Sequence, residues 1–268
     1  MRDKGPILKS QKIIARKRQK YLRALYVCLG IVVLVLIVPP LFVRIPWLSV
    51  KEVYVSGAKT VDQEEVKEFV MSNMSETFLK VFPKNTFLTV GRNSLETGIL
   101  EKFRTIENVS FGVKIPNTLT LDIEERNPFA LWCNSGKECL FVDKMGFIYA
   151  DAPSFSSPVY VVFKNDSSVK NIGGMVSDRV IFDRINALSK GFSLYGLKIK
   201  EIAFNKNDTV DFIMEHGSLY VSLKQSDSLT LENLGSLFSD PKLSLINKNG
   251  GLTVSYIDLR FGNKLFYK

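Results

Sequence analysis

Histidine is nearly missing from this chain: His216 stands alone among 268 residues. Cysteine is scarce, at Cys28, Cys133 and Cys139, and no Cys/His/carboxylate cluster has the spacing of a metal site. There is no Gly-x-Ser-x-Gly elbow and no glycine-rich phosphate loop. Ser-x-x-Lys occurs at Ser167–Lys170 and Ser239–Lys242, as chance alone delivers in a chain so rich in both residue types. These gaps argue against metal-dependent, nucleotide-dependent and serine-nucleophile chemistry. The expectation is a non-enzymatic protein with no cofactor and no small-molecule substrate. His216, between two strand-like segments, reads as an exposed turn residue.

Acid is also nearly absent from the start of the chain. Residues 1–23 hold Arg2, Lys4, Lys9, Lys12, Arg16, Lys17, Arg18, Lys20 and Arg23 against Asp3 alone. The whole chain carries +9, so this tail accounts for +8 and everything after it for +1. A nucleic-acid surface would need a basic folded part, and none is implied. The tail reads as a solvated segment that sets topology, with attraction to anionic lipid headgroups as the other account.

No charge interrupts Ala24–Val43. A helix of about 20 apolar residues spans roughly 30 Å, the hydrocarbon thickness of a bilayer. A cleaved signal would end in a small-x-small site, whereas Leu41-Phe42-Val43-Arg44-Ile45-Pro46-Trp47 follows here. The run is therefore expected to be an uncleaved single-pass anchor, with Trp47 at the headgroup interface. Nine cations precede it, and only Arg44, Lys51 and Lys59 lie in the first stretch after it, so the amino terminus stays inside and the rest is exported.

The expected fold class is α+β: the membrane helix, then strand-helix-helix-strand-strand over residues 48–126, then a mainly antiparallel β domain with two helices over 127–268. Val53 and Val55 alternate with Glu52 and Tyr54 up to Gly57. Thr60-Val61-Asp62-Gln63 resembles a capping box, and Val66, Phe69 and Val70 form a helical stripe. A second helix is expected from Asn93 or Ser94, with Leu95, Ile99, Leu100 and Phe103 apolar. Val109, Phe111, Val113 and Ile115 alternate, Pro116-Asn117 turns the chain, and Leu119, Leu121 and Ile123 return. Later strands are expected at 129–133, 140–142, 147–149, 159–163, 209–214, 218–223 and 253–259. Helices are expected near 177–190, with Val180, Ile181, Ile185 and Leu188 apolar, and near 228–238. Cys133 and Cys139 flank a hairpin loop; an exported disulfide and two free thiols both remain open.

Several stretches carry a family resemblance. Val50–Gly57 is similar to the opening strand of a POTRA domain. Residues 115–132, IPNTLTLDIEERNPFALW, resemble the POTRA exit hairpin and the entry to a β domain. Phe141–Ile148 and Tyr256-Ile257-Asp258-Leu259-Arg260-Phe261 resemble later strands of the same family, FtsQ/DivIB of bacterial cell division. The likeness covers the whole plan from tail to β domain, although residues 150–250 match only in pattern, and no tail follows what reads as the last strand. It implies a division scaffold at the septum of the cytoplasmic membrane, binding FtsB/DivIC-like and FtsL-like proteins outside and, through them, the septal wall synthase. It implies capture by β-augmentation beside the last strand, which needs an unpaired strand edge. Tyr256 and Phe261 would be anchors there and Arg260 would meet a partner carboxylate, weighed against Asp258 and Arg260 pairing with each other. Ile257 and Leu259 read as buried. Glu125, with Glu124, is a candidate contact at the domain junction, weighed against a solvated strand end. Two other jobs fit the topology: a POTRA-containing accessory for export or envelope assembly, and an anchored wall enzyme, for which no catalytic constellation is present.

Overall fold

The computed structural model describes residues 11–43, 49–74, 77–78, 82–83, 91–134, 138–165, 170–240 and 242–268; within the first helix, side-chain surroundings are described for residues 18–35. That helix, α1, covers Gln11–Val43. From Leu22 to Val35 its large apolar side chains are exposed on every side. The expected span 24–43 runs past the described side chains, and among the described residues no helix is long and apolar enough to cross a membrane.

The molecule is mixed α+β and divides into two compact units, residues 1–99 with 109–123, and residues 100–108 with 124–268. The second unit takes residues 100–108 because Arg126 ties them down. Its amide donates to the Thr105 carbonyl at 2.8 Å and its Nε to the Arg104 carbonyl at 3.1 Å. Its guanidinium pairs with the buried carboxylate of Asp143.

The elements after α1 run β1 (Glu52–Ser56), α2 (Gln63–Met74), a two-residue pairing of β2 (Thr77–Phe78) with β3 (Phe82–Pro83), α3 (Arg92–Lys102), β4 (Ile106–Lys114) and β5 (Thr118–Glu125). The sheet order is β1-β5-β4, with β1 parallel to β5, so the chain must cross over between them and does so through the two helices. In β1, Val53 and Val55 are buried while Glu52 and Tyr54 face outward, as period two requires. The strand stops at Gly57, whose φ is +82° and where a Cβ would lie 2.1 Å from the Ile123 carbonyl oxygen. Helix α2 buries Val66, Val70 and Met74 and places Glu64 and Glu65 in its first turn, at the positive end of the helix dipole. It starts two residues later than a Thr60 cap implies: the Asp62 carboxylate accepts from the Glu64 amide at 2.9 Å. Gly98 of α3 lets Phe69 of α2 come close, since a Cβ there would meet the ring at 3.2 Å. The alternation expected through Ile115 fades outward: Val109 is buried, Val113 is 42 % exposed and Ile115, already in the turn, is 81 % exposed.

The second unit holds β6 (Ala130–Cys133), β7 (Cys139–Val142), β8 (Ile148–Asp151), β9 (Val162–Asn165), α4 (Arg179–Leu194), β10 (Glu201–Asn205), β11 (Thr209–Ile213), β12 (Ser218–Ser222), α5 (Asp227–Phe238), β13 (Tyr256–Phe261) and β14 (Lys264–Tyr267). They form one nine-stranded sheet in the order β14-β13-β12-β11-β10-β9-β6-β7-β8. The pairs β12–β13, β9–β10 and β6–β9 are parallel and the rest antiparallel. One core joins a sheet face (Ile202, Val210, Phe212, Leu219, Val221, Ile257, Leu259) to Phe182, Ile185, Leu188 and Phe192 of α4 and Leu234 and Leu237 of α5. In α4 the buried stripe includes Phe182, whereas Val180, expected on it, is 74 % exposed; the Asp178 side chain caps the helix by accepting from the Val180 amide.

Two strands of this unit were not anticipated. Strand β10 pairs with β11 across a turn in which Asn207 and Asp208 both take positive φ, the geometry of a tight hairpin. Strand β14 follows β13 across the two-residue turn Gly262-Asn263, with Gly262 at φ +61°. The strand expected as the last, residues 253–259, is thus Tyr256–Phe261 and lies one place in from the sheet edge.

Candidate interaction edge

A sheet edge is either covered or available, because its outward amides and carbonyls have no ladder partner. At one end of the large sheet, the start of β8 is covered. The Ile148 amide donates to the Gly174 carbonyl at 2.9 Å, Gly173 donates to the Ile148 carbonyl at 2.8 Å, and Phe147 bridges Met175. At the other end lies β14. Lys268 and Tyr256 exchange both backbone bonds, and Ile257 stands opposite Tyr267 and Asp258 opposite Phe266. Antiparallel backbone groups alternate in direction, so those of Leu265 and Tyr267 point away from β13. Among the described residues no strand lies beyond them.

The edge is held from below. Gly262 in the β13–β14 turn donates to the Gln225 Oε1 at 3.0 Å, and its carbonyl accepts from the Asn233 side chain of α5 at 2.6 Å. Phe261 and Phe266 meet edge to face with ring centroids 5.6 Å apart, and both, with Tyr267, are about half exposed. Tyr256, Asp258, Phe261, Lys264 and Phe266 line an open recess of about 460 Å³ beside the strand. Apolar rings around an open backbone edge suit an extended peptide with one or two apolar side chains.

The anticipated residues fall into place unequally. Tyr256 stacks on Tyr220 of β12, with centroids 5.5 Å apart and planes 23° apart. Register puts Asp211, Tyr220, Asp258 and Phe266 in one row across four strands, on the face opposite the helices. Arg260 grips Asp258 of its own strand, Nε to Oδ1 at 2.8 Å and Nη2 to Oδ2 at 2.6 Å, with its guanidinium 5.3 Å from the Tyr220 ring centre. The carboxylate that was expected from a partner is therefore supplied by Asp258, because alternate residues of a strand share a face. Burial alone would raise the Asp258 carboxyl, but its hydrogen bonds and ion pair with Arg260 outweigh that and hold it below its usual range. Asp211 moves the other way: burial raises it, and the nearby Asp258 charge adds to that, against the Asn205 hydrogen bond and the Arg260 charge.

Glu125 is not brought to this edge. It lies at the end of β5, and its charge acts on Tyr149 of β8, at the far side of the sheet. Burial first, then Tyr160, Asp143 and Glu125, push the Tyr149 hydroxyl up to about 12, against Arg126. Cys133 and Cys139 stand opposite each other in the β6–β7 register and are joined in a disulfide. The neighbouring bond from the Asn134 amide to the Glu138 carbonyl marks theirs as a non-hydrogen-bonded pair, the arrangement that brings cross-strand side chains closest.

Sequence reasoning missed Lys264, Leu265, Phe266 and Tyr267 as an edge. The signal was present: Gly-Asn between two alternating apolar runs is a hairpin signature. No family model and no curated protein matches this chain.

Proposed function

We propose that this chain is a single-pass, non-enzymatic scaffold of the FtsQ/DivIB kind, held in a bacterial cytoplasmic membrane by α1, and that its second unit captures a division partner by adding that partner's strand to β14. The observation that carries the reading is the outer side of β14, beyond which no strand lies among the described residues, flanked by Phe261, Phe266 and Tyr267. Three further features support it. Apart from the two-residue β2–β3 pairing, the order β1-α2-α3-β4-β5, with β1 parallel to β5, resembles that of a POTRA domain. From Leu22 to Val35, α1 exposes large apolar side chains all round, which suits lipid better than water. The basic residues 1–23, ahead of the apolar part of α1, favour an amino terminus in the cytoplasm.

The partners on this reading are FtsB/DivIC-like and FtsL-like proteins, offering an extended segment near the membrane and connecting the scaffold to the septal wall synthase. Main-chain bonds to Leu265 and Tyr267 supply affinity, and the recess beside Phe266 selects the side chain that enters. Arg260 acts as a positioning residue, keeping Asp258 neutralised beneath the recess. Co-purification of the full chain with FtsB-like and FtsL-like proteins, together with septal localisation of a tagged copy, tests the reading. Recovery of neither partner, with the tagged copy spread evenly around the cell, would overturn it.

A further inference from the structure

We propose that the turn joining β4 to β5 rests in the headgroup layer of the bilayer, with Ile115 as its apolar contact. This rests on reading α1 as a membrane anchor.

The first argument is where the chain enters its first unit. The Lys51 amide donates to the Asn117 carbonyl at 2.9 Å, and the Glu52 amide reaches the same oxygen at 3.4 Å. The turn is therefore fastened to the start of β1. Lys51 is eight residues past the end of α1 at Val43. At 3.3–3.6 Å per residue the chain between them reaches at most about 28 Å. From the turn, β1 and β5 run side by side in the same direction, so the far end of β5 at Glu125 is a further ~23 Å away. The turn is therefore the pole at which the tether from the anchor enters the three-stranded sheet.

The second argument is the chemistry of that pole. Ile115, at 81 %, is the most exposed large apolar side chain described in this unit. The apolar alternation running through β4 turns outward along the chain: Val109 is buried, Val113 is partly exposed and Ile115, in the turn, is fully presented. Exposed Lys114 and Tyr54 line an open recess with Ile115, Pro116 and Asn117, and exposed Lys51 is tied to Asn117 through its amide. Among the described residues neither lysine is ion-paired. Tyrosine and long cations around an apolar tip are the composition of a membrane interface: the ring sits at headgroup level and the ammonium groups reach the phosphates. Glu52 beside them is also exposed, so insertion of Ile115 drives the contact and net charge plays a smaller part.

The test uses the full-length protein reconstituted in vesicles containing anionic lipid and nitroxide-labelled lipid quenchers. Separate samples carry a fluorophore at the native Cys28, or, with Cys28→Ser, at Ile115→Cys or Asp122→Cys; Asp122 is exposed toward the other end of β5. The expected result is loss of emission at positions 28 and 115 with emission at 122 retained. Quenching at 28 without quenching at 115, or equal quenching at 115 and 122, overturns the proposal and leaves the anchor standing. Absence of quenching at 28 overturns the anchor reading and the proposal with it.

Discussion

Arg260 and Asp258, two positions apart on the same strand, form a bidentate ion pair of which Asp258 is the more buried member. The pair neutralises a carboxylate beneath the recess at the sheet edge, and it makes Arg260 structural first. Removing either partner leaves the other poorly solvated, and that loss exceeds the value of an exposed surface pair.

Arg260→Ala is expected to lower stability at neutral pH by about 1–3 kcal/mol, the range for hydrogen bonds to a charged group, discounted because the guanidinium is partly exposed. The Asp258 carboxyl is held below its ordinary 3.8, so its contribution is complete above that unfolded value and disappears as pH falls through the lower folded one. Urea unfolding of wild type and variant at a series of pH values should show the gap closing only in acid. A gap independent of pH would remove the ion pair as its cause.

Asp211→Asn is expected to act in the opposite sense. Its carboxyl is raised, chiefly by burial, so the folded state disfavours the charged form and stability is lost as pH rises through the raised value. The amide variant should melt higher than wild type at pH 7 and keep no advantage in acid. Thermal melts at the two pH values check the sign.

Phe182→Ala is expected to cost about 3–5 kcal/mol, as for other large aromatic truncations in cores. The ring is fully buried, lies 5.4 Å from Phe163 and 6.2 Å from Phe129 between centroids, and sits where a Cβ on Gly146 would touch it. Chemical denaturation of the variant measures the loss.

Reduction of Cys133–Cys139 is expected to destabilise the second unit by about 2 kcal/mol, since a bridge closing so short a loop restricts the unfolded chain only modestly. Denaturation with and without reductant gives the value, and the Cys133→Ser, Cys139→Ser variant should match the reduced protein. The bridge also lets partial proteolysis between the two cysteines go unseen on a non-reducing gel.

Where one face of an element is buried, the sequence was readable. Val53 and Val55, the stripe Val66–Val70 and the run Leu119–Leu121–Ile123 all sit inside, because period and burial agree. Val180 misled because it begins a helix, where Asp178 caps the first turn and the side chain faces solvent. Strands β10 and β14 were overlooked because their alternation is short and mixed with charge: Glu201-Ile202-Ala203-Phe204-Asn205 has one fully buried position, Ile202, and Lys264-Leu265-Phe266-Tyr267 only a half-buried Leu265. Their turns, with positive φ at Asn207, Asp208 and Gly262, were the better clue. The edge itself was anticipated one strand too early. Strand order is a non-local property, and nothing within Tyr256–Phe261 reveals that a four-residue strand will pair with its outer side. The Asp258–Arg260 pair was legible from strand period alone; Tyr220 beneath the guanidinium was not, since it arrives from β12.

The amide of Tyr267 is the most direct probe of partner capture at β14. It points away from β13, so Tyr267→Pro deletes an outward donor while leaving the β13–β14 ladder intact, and proline is tolerated on an edge strand in that orientation. Tyr267→Ala keeps the amide and removes only the ring. Binding of the full chain to purified FtsB-like and FtsL-like segments should fall about tenfold or more, about 1.4 kcal/mol, for Tyr267→Pro and much less for Tyr267→Ala, with both melting temperatures near wild type. Binding by Tyr267→Pro equal to that of the wild-type chain would contradict the account.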